Sequence, residues 1–189
     1  MDRILIVSGN DRSSKLMKDC LSEFGFVHID TQQSGSSSRR LLIDREYDLV
    51  IINPPLKDEA GEELAAEICT KSASGVIMAI KAEDADAIAE KMESYGVLVI
   101  SKPFSKTGLY QSVKFVLASV RRMQNISREK DKLQKRVEDI KIIDRAKWLL
   151  IERLHMTEQD AHRHIEKAAM DKRMTRREVA EKIISSMEV

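Results

Sequence analysis

Residues 3–26 read RILIVSGNDRSSKLMKDCLSEFGF, and this run decides the fold of the first half of the chain. It opens with RILIVS, an apolar stretch too short for a helix and rich in β-branched residues, which predicts a buried strand. A polar turn follows, and then Leu16, Met17, Cys20, Leu21 and Phe24 recur at the three- and four-residue spacing of an amphipathic helix. The same unit repeats outward along the chain. Short apolar stretches stand at residues 26–30 (FVHID), 48–52 (DLVII), 75–79 (GVIMA) and 96–100 (GVLVI). Residues 32–38, QQSGSSS, read as a loop after the second strand. Strands alternating with helices in this way predict an α/β fold, a doubly wound parallel sheet.

At 189 residues and 42% hydrophobic content, the chain has room for one full domain and a smaller second one. Its two cysteines, Cys20 and Cys69, in a chain without a signal peptide, predict reduced thiols that pack rather than react, in a cytoplasmic protein. No apolar run approaches the roughly 20 residues that span a bilayer, so no membrane role is expected. The net charge of +1 hides a division. Residues 1–107 carry 13 Lys/Arg and 18 Asp/Glu, a net of −5, whereas residues 108–189 carry 19 and 13, a net of +6. The basic half is the one expected to meet a polyanion, because phosphate neutralisation with counterion release supplies most nonspecific nucleic-acid affinity. Charge by itself fits a solvated helical surface as well.

From Leu109 onward there is no Pro or Gly. Val116, Met123 and Val137 form one apolar row at multiples of seven, and Ile126, Leu133 and Ile140 a second row offset by three. That is the seam of a coiled coil. Lys130 lies on the first row, with Ser119 and Asp144 near the ends, so a helix packed on its own domain is the alternative. The reading adopted is a long coiled-coil helix joining two copies, a homodimer with Met123, Ile126, Leu133, Val137 and Ile140 at its interface.

Beyond this helix, Thr157 with Asp160 and Thr175 with Glu178 have the spacing of capping boxes and mark two helix starts. Ala161, Ile165, Ala168 and Ala169 form one apolar stripe and Val179, Ile183 and Met187 another, which predicts a small all-α three-helix domain. The basic residues left outside these stripes are Arg145, Lys147, Arg163, Lys167, Lys172, Arg173, Arg176 and Arg177. Arg173, Arg176 and Arg177 cluster at the turn into the last helix, where free amides also favour phosphate. Each is either a contact or a solvated charge. Trp148 is either a stacking surface for a base or part of a core or interface. His155, His162 and His164 do not make a metal site, since His162 and His164 point to different helix faces.

Residues 1–120 resemble the receiver domain of bacterial response regulators. The likeness rests on the RILIV strand, the run ending in Phe24-Gly25-Phe26, the YDLVII strand, Gly61 after it, and above all Lys102-Pro103-Phe104. It implies an acidic pair after the first strand, a phosphate-accepting aspartate after the third and a hydroxyl after the fourth. Here those places hold Ser8-Gly9, Asn53 and Ile80, and Val99 stands at the aromatic switch position. Ser8, Gly9 and Asn53 offer no charge to a hard cation such as Mg²⁺, and an amide cannot form an acyl phosphate. Of the phosphorylation apparatus only Lys102 remains, and it reads equally as an ordinary loop lysine. Asp11 falls three positions late for an acidic substitute and is expected to cap the helix that follows.

Residues 141–184 resemble the ANTAR domain, an RNA-binding module of bacterial transcription antiterminators. The matching positions are Ala146-Lys147, Leu149-Leu150, Ala161, Ala169-Met170, Val179-Ala180 and Ile183-Ile184; Trp148 departs from the small residue the family has after Ala-Lys. Together the two resemblances imply a receiver-like domain (1–120), a coiled-coil connector (121–140) and an ANTAR-like RNA-binding domain (141–189). They imply a dimer that binds hairpins in a nascent leader transcript, with no catalytic residues, no metal and no cofactor. Control would come from a regulatory protein or ligand at the receiver-like domain, or from abundance. The runner-up is a protein-interaction scaffold, and a DNA-binding regulator is disfavoured because no recognition-helix and wing pattern is evident.

Overall fold

The computed structural model describes residues 2–187. It divides into two compact units, with the boundary between Asn125 and Ile126. In the first unit β1 (Arg3–Ser8), β2 (His28–Gln32), β3 (Leu49–Asn53), β4 (Gly75–Lys81) and β5 (Leu98–Lys102) form one sheet in the order β2-β1-β3-β4-β5. Every pairing is parallel. The connecting helices are α1 (Asp11–Glu23), α2 (Gly35–Asp44), α3 (Glu62–Lys71) and α4 (Ala82–Met92), and α5 (Lys106–Leu154) starts after β5.

The expected doubly wound sheet is therefore observed, and strand alternation explains how it is filled. Ile4, Ile6, Ile51 and Ile77 face one side, where Met17 and Leu21 of α1 and Leu109, Val113 and Leu117 of α5 cover them. Leu5, Val7, Val50, Ile52 and Met78 face the other, beneath Leu64 and Ile68 of α3. Because β1 and β3 are covered on both faces, their sequences are apolar without alternation. Gly61 enters α3 at φ 93°, and a Cβ there would lie 2.8 Å from Ile52 Cγ2, so conformation and space both ask for glycine.

Local departures from the sequence reading have local causes. The second strand starts at His28 rather than at Phe26, which instead packs against the α1 side of the core. The Ser-rich stretch is not all loop: Ser34 caps α2, its Oγ accepting from Ser37 N at 3.2 Å, and Gly35 is already helical. Asn10, not Asp11, caps α1, with Oδ1 accepting from Arg12 N at 2.9 Å and Ser13 N at 3.1 Å. Leu16 is 62% exposed rather than core, and Phe24 stacks on Tyr110 with ring centroids 4.2 Å apart. Val116 is buried against the sheet, so the apolar row on α5 becomes available only from Met123 onward.

In the second unit the end of α5 packs with α6 (Glu158–Lys172) and α7 (Arg176–Met187). Its core is Ala146, Leu150, Ala161, Ile165, Ala169, Val179 and Ala180. Four alanines in that set let the helix backbones approach closely. Both expected helix starts are present. Thr157 Oγ1 accepts from Asp160 N at 3.2 Å, though the Asp160 carboxylate takes the Thr157 hydroxyl rather than a backbone amide. Thr175 and Glu178 form the complete reciprocal box, Glu178 N to Thr175 Oγ1 at 3.2 Å and Thr175 N to Glu178 Oε2 at 2.7 Å. Among the described residues, no helix is long and apolar enough to cross a membrane.

Candidate functional site

In open parallel sheets ligands meet the protein at the carboxyl ends of the strands. Here that edge is built from a hydroxyl, an amide and a lysine. The β1–β3 register sets Ser8 beside Asn53, and Asn53 Nδ2 donates to Ser8 Oγ at 2.9 Å. Lys102 Nζ donates to Asn53 Oδ1 at 2.8 Å and to Pro54 O at 3.2 Å. The structure thus brings Ser8, Asn53 and Lys102 into one hydrogen-bonded chain. That chain contains no carboxylate. Burial pushes the Lys102 ammonium's pKa below the ordinary lysine value, and Lys81, its cross-strand neighbour, adds to the effect.

Ile80 lies buried in the core beneath α4, with Val99 packed against the same cluster. Neither offers a hydroxyl. Gly9 donates its N–H to Pro55 O at 3.2 Å, and a Cβ at Gly9 would stand 2.5 Å from that oxygen, so a carboxylate side chain has no room there unless the loop moves. The loop is tied down. Asp58 accepts from Gly35 N at 2.7 Å and Ser36 N at 3.0 Å, and these amides hold its carboxyl down at about 2. Glu59 pairs with Arg39 at 2.9 Å. Among the described residues, no group of three or more His, Cys, Asp or Glu side chains is placed to hold a metal ion.

The second unit carries its chemistry on its outer faces. Ala146 and Leu150 turn one side of α5 inward, which leaves Lys141, Arg145 and Trp148, spaced by four and three, on the opposite side. Trp148 is 70% exposed, which removes the core reading and leaves stacking or an interface. On α6, Ala161, Ile165 and Ala169 face the core while Arg163, Lys167 and Met170 face out, Met170 at 79% exposed.

The eight basic candidates fall into distinct groups. Lys147 sits between Asp144 at 2.8 Å and Glu158 at 3.0 Å, joining α5 to the start of α6. Arg177 bridges Asp139 at 2.7 Å and Glu181 at 2.9 Å, and Arg176 meets Glu166 at 3.3 Å. Among the described residues, Arg163, Lys167, Lys172 and Arg173 are exposed with no carboxylate partner. Arg145 is exposed beside Trp148. The start of α7 is less open to phosphate than its sequence suggests, because the Glu178 carboxylate already takes the Thr175 amide and places negative charge there. Lys141 and Met170 are further members of these faces, beyond the basic candidates. The seven-residue spacings from 141 to 148 and from 163 to 170 were the available signal.

On α5, the apolar side chains Met123, Ile126, Leu133, Val137 and Ile140 are each between 51% and 68% exposed. None belongs to a core cluster of either unit.

Comparison with known proteins agrees with this geometry. Residues 4–114 match the response regulator receiver domain and residues 131–184 match the ANTAR domain. The transcriptional regulatory protein PdtaR of Mycobacterium tuberculosis (strain H37Rv) is 26% identical over 185 residues, which is 98% of this chain and 90% of that protein. Among solved structures, a two-component response regulator from Clostridium difficile is 25% identical, covering 65% of this chain and 98% of its own, with a TM-score of 0.57. The receiver domain of an HD domain-containing protein from Pseudomonas fluorescens Pf-5 shares the fold at 21% identity and a TM-score of 0.60, over 66% of this chain and 92% of that one.

Proposed function

We propose a function that starts from family: the chain belongs to the response regulators and joins a receiver domain to an ANTAR domain. On that footing it is a transcription antitermination regulator. The finer reading is that it acts in the cytoplasm by binding hairpins in nascent leader RNA, that it is not an enzyme, and that its receiver domain is controlled without phosphorylation. The observation that carries the RNA reading is the outer surface of the second unit, where Arg163, Lys167, Lys172 and Arg173 lack carboxylate partners among the described residues and Trp148 stands exposed. Cations without internal partners meet phosphate at no cost in broken ion pairs. An exposed indole and arginine planes stack on unpaired loop bases, the usual route to RNA specificity. Lys147, Arg176 and Arg177 contribute mainly by fixing the helices that present those groups.

The carboxylate-free Ser8–Asn53–Lys102 chain supports control without phosphorylation, because an amide in the acceptor position forms no acyl phosphate. The apolar side chains from Met123 to Ile140 support a homodimer through a connector at 121–140, between a receiver at 1–120 and an RNA-binding domain at 141–189. The scaffold reading draws on Trp148 and Met170, which would serve a protein partner as well as a base. Filter binding of the full chain to structured RNA and to duplex DNA separates these readings. Retention of hairpin RNA over duplex DNA is expected, and equal or absent retention refutes the RNA reading.

A further inference from the structure

The carboxyl edge of the first unit's sheet holds a feature that neither RNA binding nor dimer formation uses. A cavity of about 680 Å³ opens there between α1, the loop after β3 and the first turn of α5. Its apolar lining comes from Leu16, Met17, Leu56, Phe104 and Leu109. Lys57 and Lys102 line the same cavity. Lys106 also lines it, but Glu23 neutralises that ammonium at 2.8 Å.

The charge balance is lopsided. Lys102 is half-buried, uses two of its three N–H donors on the uncharged oxygens of Asn53 and Pro54, and has no carboxylate partner among the described residues. Its nearest charged neighbour on the sheet is another cation, Lys81, which pairs with Glu83 at 3.3 Å instead. Lys57 has no carboxylate partner among the described residues either. A partly desolvated ammonium with an open donor and no counter-ion is unfavourable in isolation and favours an incoming anion. The apolar lining explains Leu16. It lies beside the core stripe of α1, and its 62% exposure leaves an aliphatic surface facing the cavity rather than a neighbour. The volume falls within the range of pockets that enclose drug-sized ligands, roughly 300–1,000 Å³.

We propose that this cavity binds a small amphipathic organic anion, its acidic head on Lys102 and Lys57 and its apolar body against Leu16, Met17 and Phe104. Among the described residues no carboxylate lines the walls, which disfavours a bare divalent cation. A bare inorganic anion leaves the apolar lining wet. Ligand and Phe104 would share the approach to α5, so occupancy bears directly on the first turn of that helix. The proposal stands apart from the RNA reading, since its readout involves no nucleic acid.

The test uses the full chain and three probes: 1-anilinonaphthalene-8-sulfonate, its neutral parent 1-anilinonaphthalene, and inorganic sulfate. Fluorescence titration should show saturable one-to-one binding of the sulfonate, with the neutral parent and sulfate each much weaker. Lys102→Gln should weaken the sulfonate by roughly ten- to a hundredfold, the worth of a hydrogen bond to a charged group, and Leu16→Gln should weaken it as well. Amide NMR of the unaltered chain supplies a second measurement that needs no variant, with shift changes expected at Gly9, Lys57 and Phe104. No saturable binding, an unchanged affinity in a folded Lys102→Gln protein, or shift changes confined to residues outside this edge would each overturn the proposal.

Discussion

Replacing Val137 and Ile140 together by Asp should turn the protein from a dimer into a monomer. Five side chains, Met123, Ile126, Leu133, Val137 and Ile140, remain between 51% and 68% exposed on one chain. Full burial of such a side chain is worth about 1.5–3 kcal/mol, so covering the exposed half yields about 1–1.5 kcal/mol each. Across two copies the seam supplies on the order of 10 kcal/mol, comparable with an association cost of roughly 4–15 kcal/mol. The balance is close, and a modest loss tips it. The double substitution removes four of these contributions, roughly 4–6 kcal/mol, or about a thousandfold or more in dissociation constant. Burying carboxylates opposite one another adds to the loss. Neither residue belongs to a folded core, so the monomer should keep its helical content. Sedimentation velocity at rising protein concentration reads the outcome. A wild-type chain that stays monomeric at about 100 μM, or a double-Asp chain that dimerises like the wild type, refutes the seam.

Incubation with acetyl phosphate and Mg²⁺ should leave the mass of the protein unchanged, because Asn53 offers an amide where an acyl phosphate would form; phosphorylation of an aspartate, detected by mass spectrometry, would contradict this. Alanine at Arg163, Lys167 or Arg173 should weaken RNA binding across sequences and flatten the salt slope by about 0.7–0.9 for each phosphate left without its cation, whereas Trp148→Ala should lower affinity with the slope unchanged; equal slopes in all four variants would move the RNA face elsewhere. Leu150→Ala, at a site 1% exposed in the second unit's core, should cost about 2–5 kcal/mol and lower the unfolding midpoint seen by circular dichroism, and a shift below that range would mean this core is looser than its packing implies. Asp58 has its carboxyl lowered to about 2 by the Ser36 and Gly35 amides, so its contribution is complete above the ordinary carboxylate range and fades as pH falls through about 2. Asp58→Asn should therefore be less stable at neutral pH and show a flatter acid dependence in urea titrations, and parallel curves for the two proteins would remove Asp58 from the account.

The sequence by itself determined the fold class and the chemistry of the receiver's edge. Strands covered on both faces must be continuously apolar, so β1, β3 and β4 announced themselves, and the alternation with helices left a parallel sheet as the economical arrangement. Asn53 itself forms no acyl phosphate and Gly9 itself offers no carboxylate whatever their surroundings, because those capacities reside in the functional groups. The Thr175–Glu178 box was legible too, since a cap depends on residues three apart. What only tertiary structure decided was where side chains of ambiguous character point and what they meet. Lys147 and Arg177 look like Arg163 and Lys172 in a roll of basic residues, but Lys147 and Arg177 find carboxylates on other helices, one of them 38 positions away, whereas the other two find none among the described residues. Leu16 shares a helical spacing with Met17 and Leu21, yet α1 turns it toward a cavity whose other walls come from residues 54–57 and 102–109. Val116 fits the heptad row, and the sheet claims it first. Periodicity carries local geometry, while partners remote in sequence are set by how the elements pack.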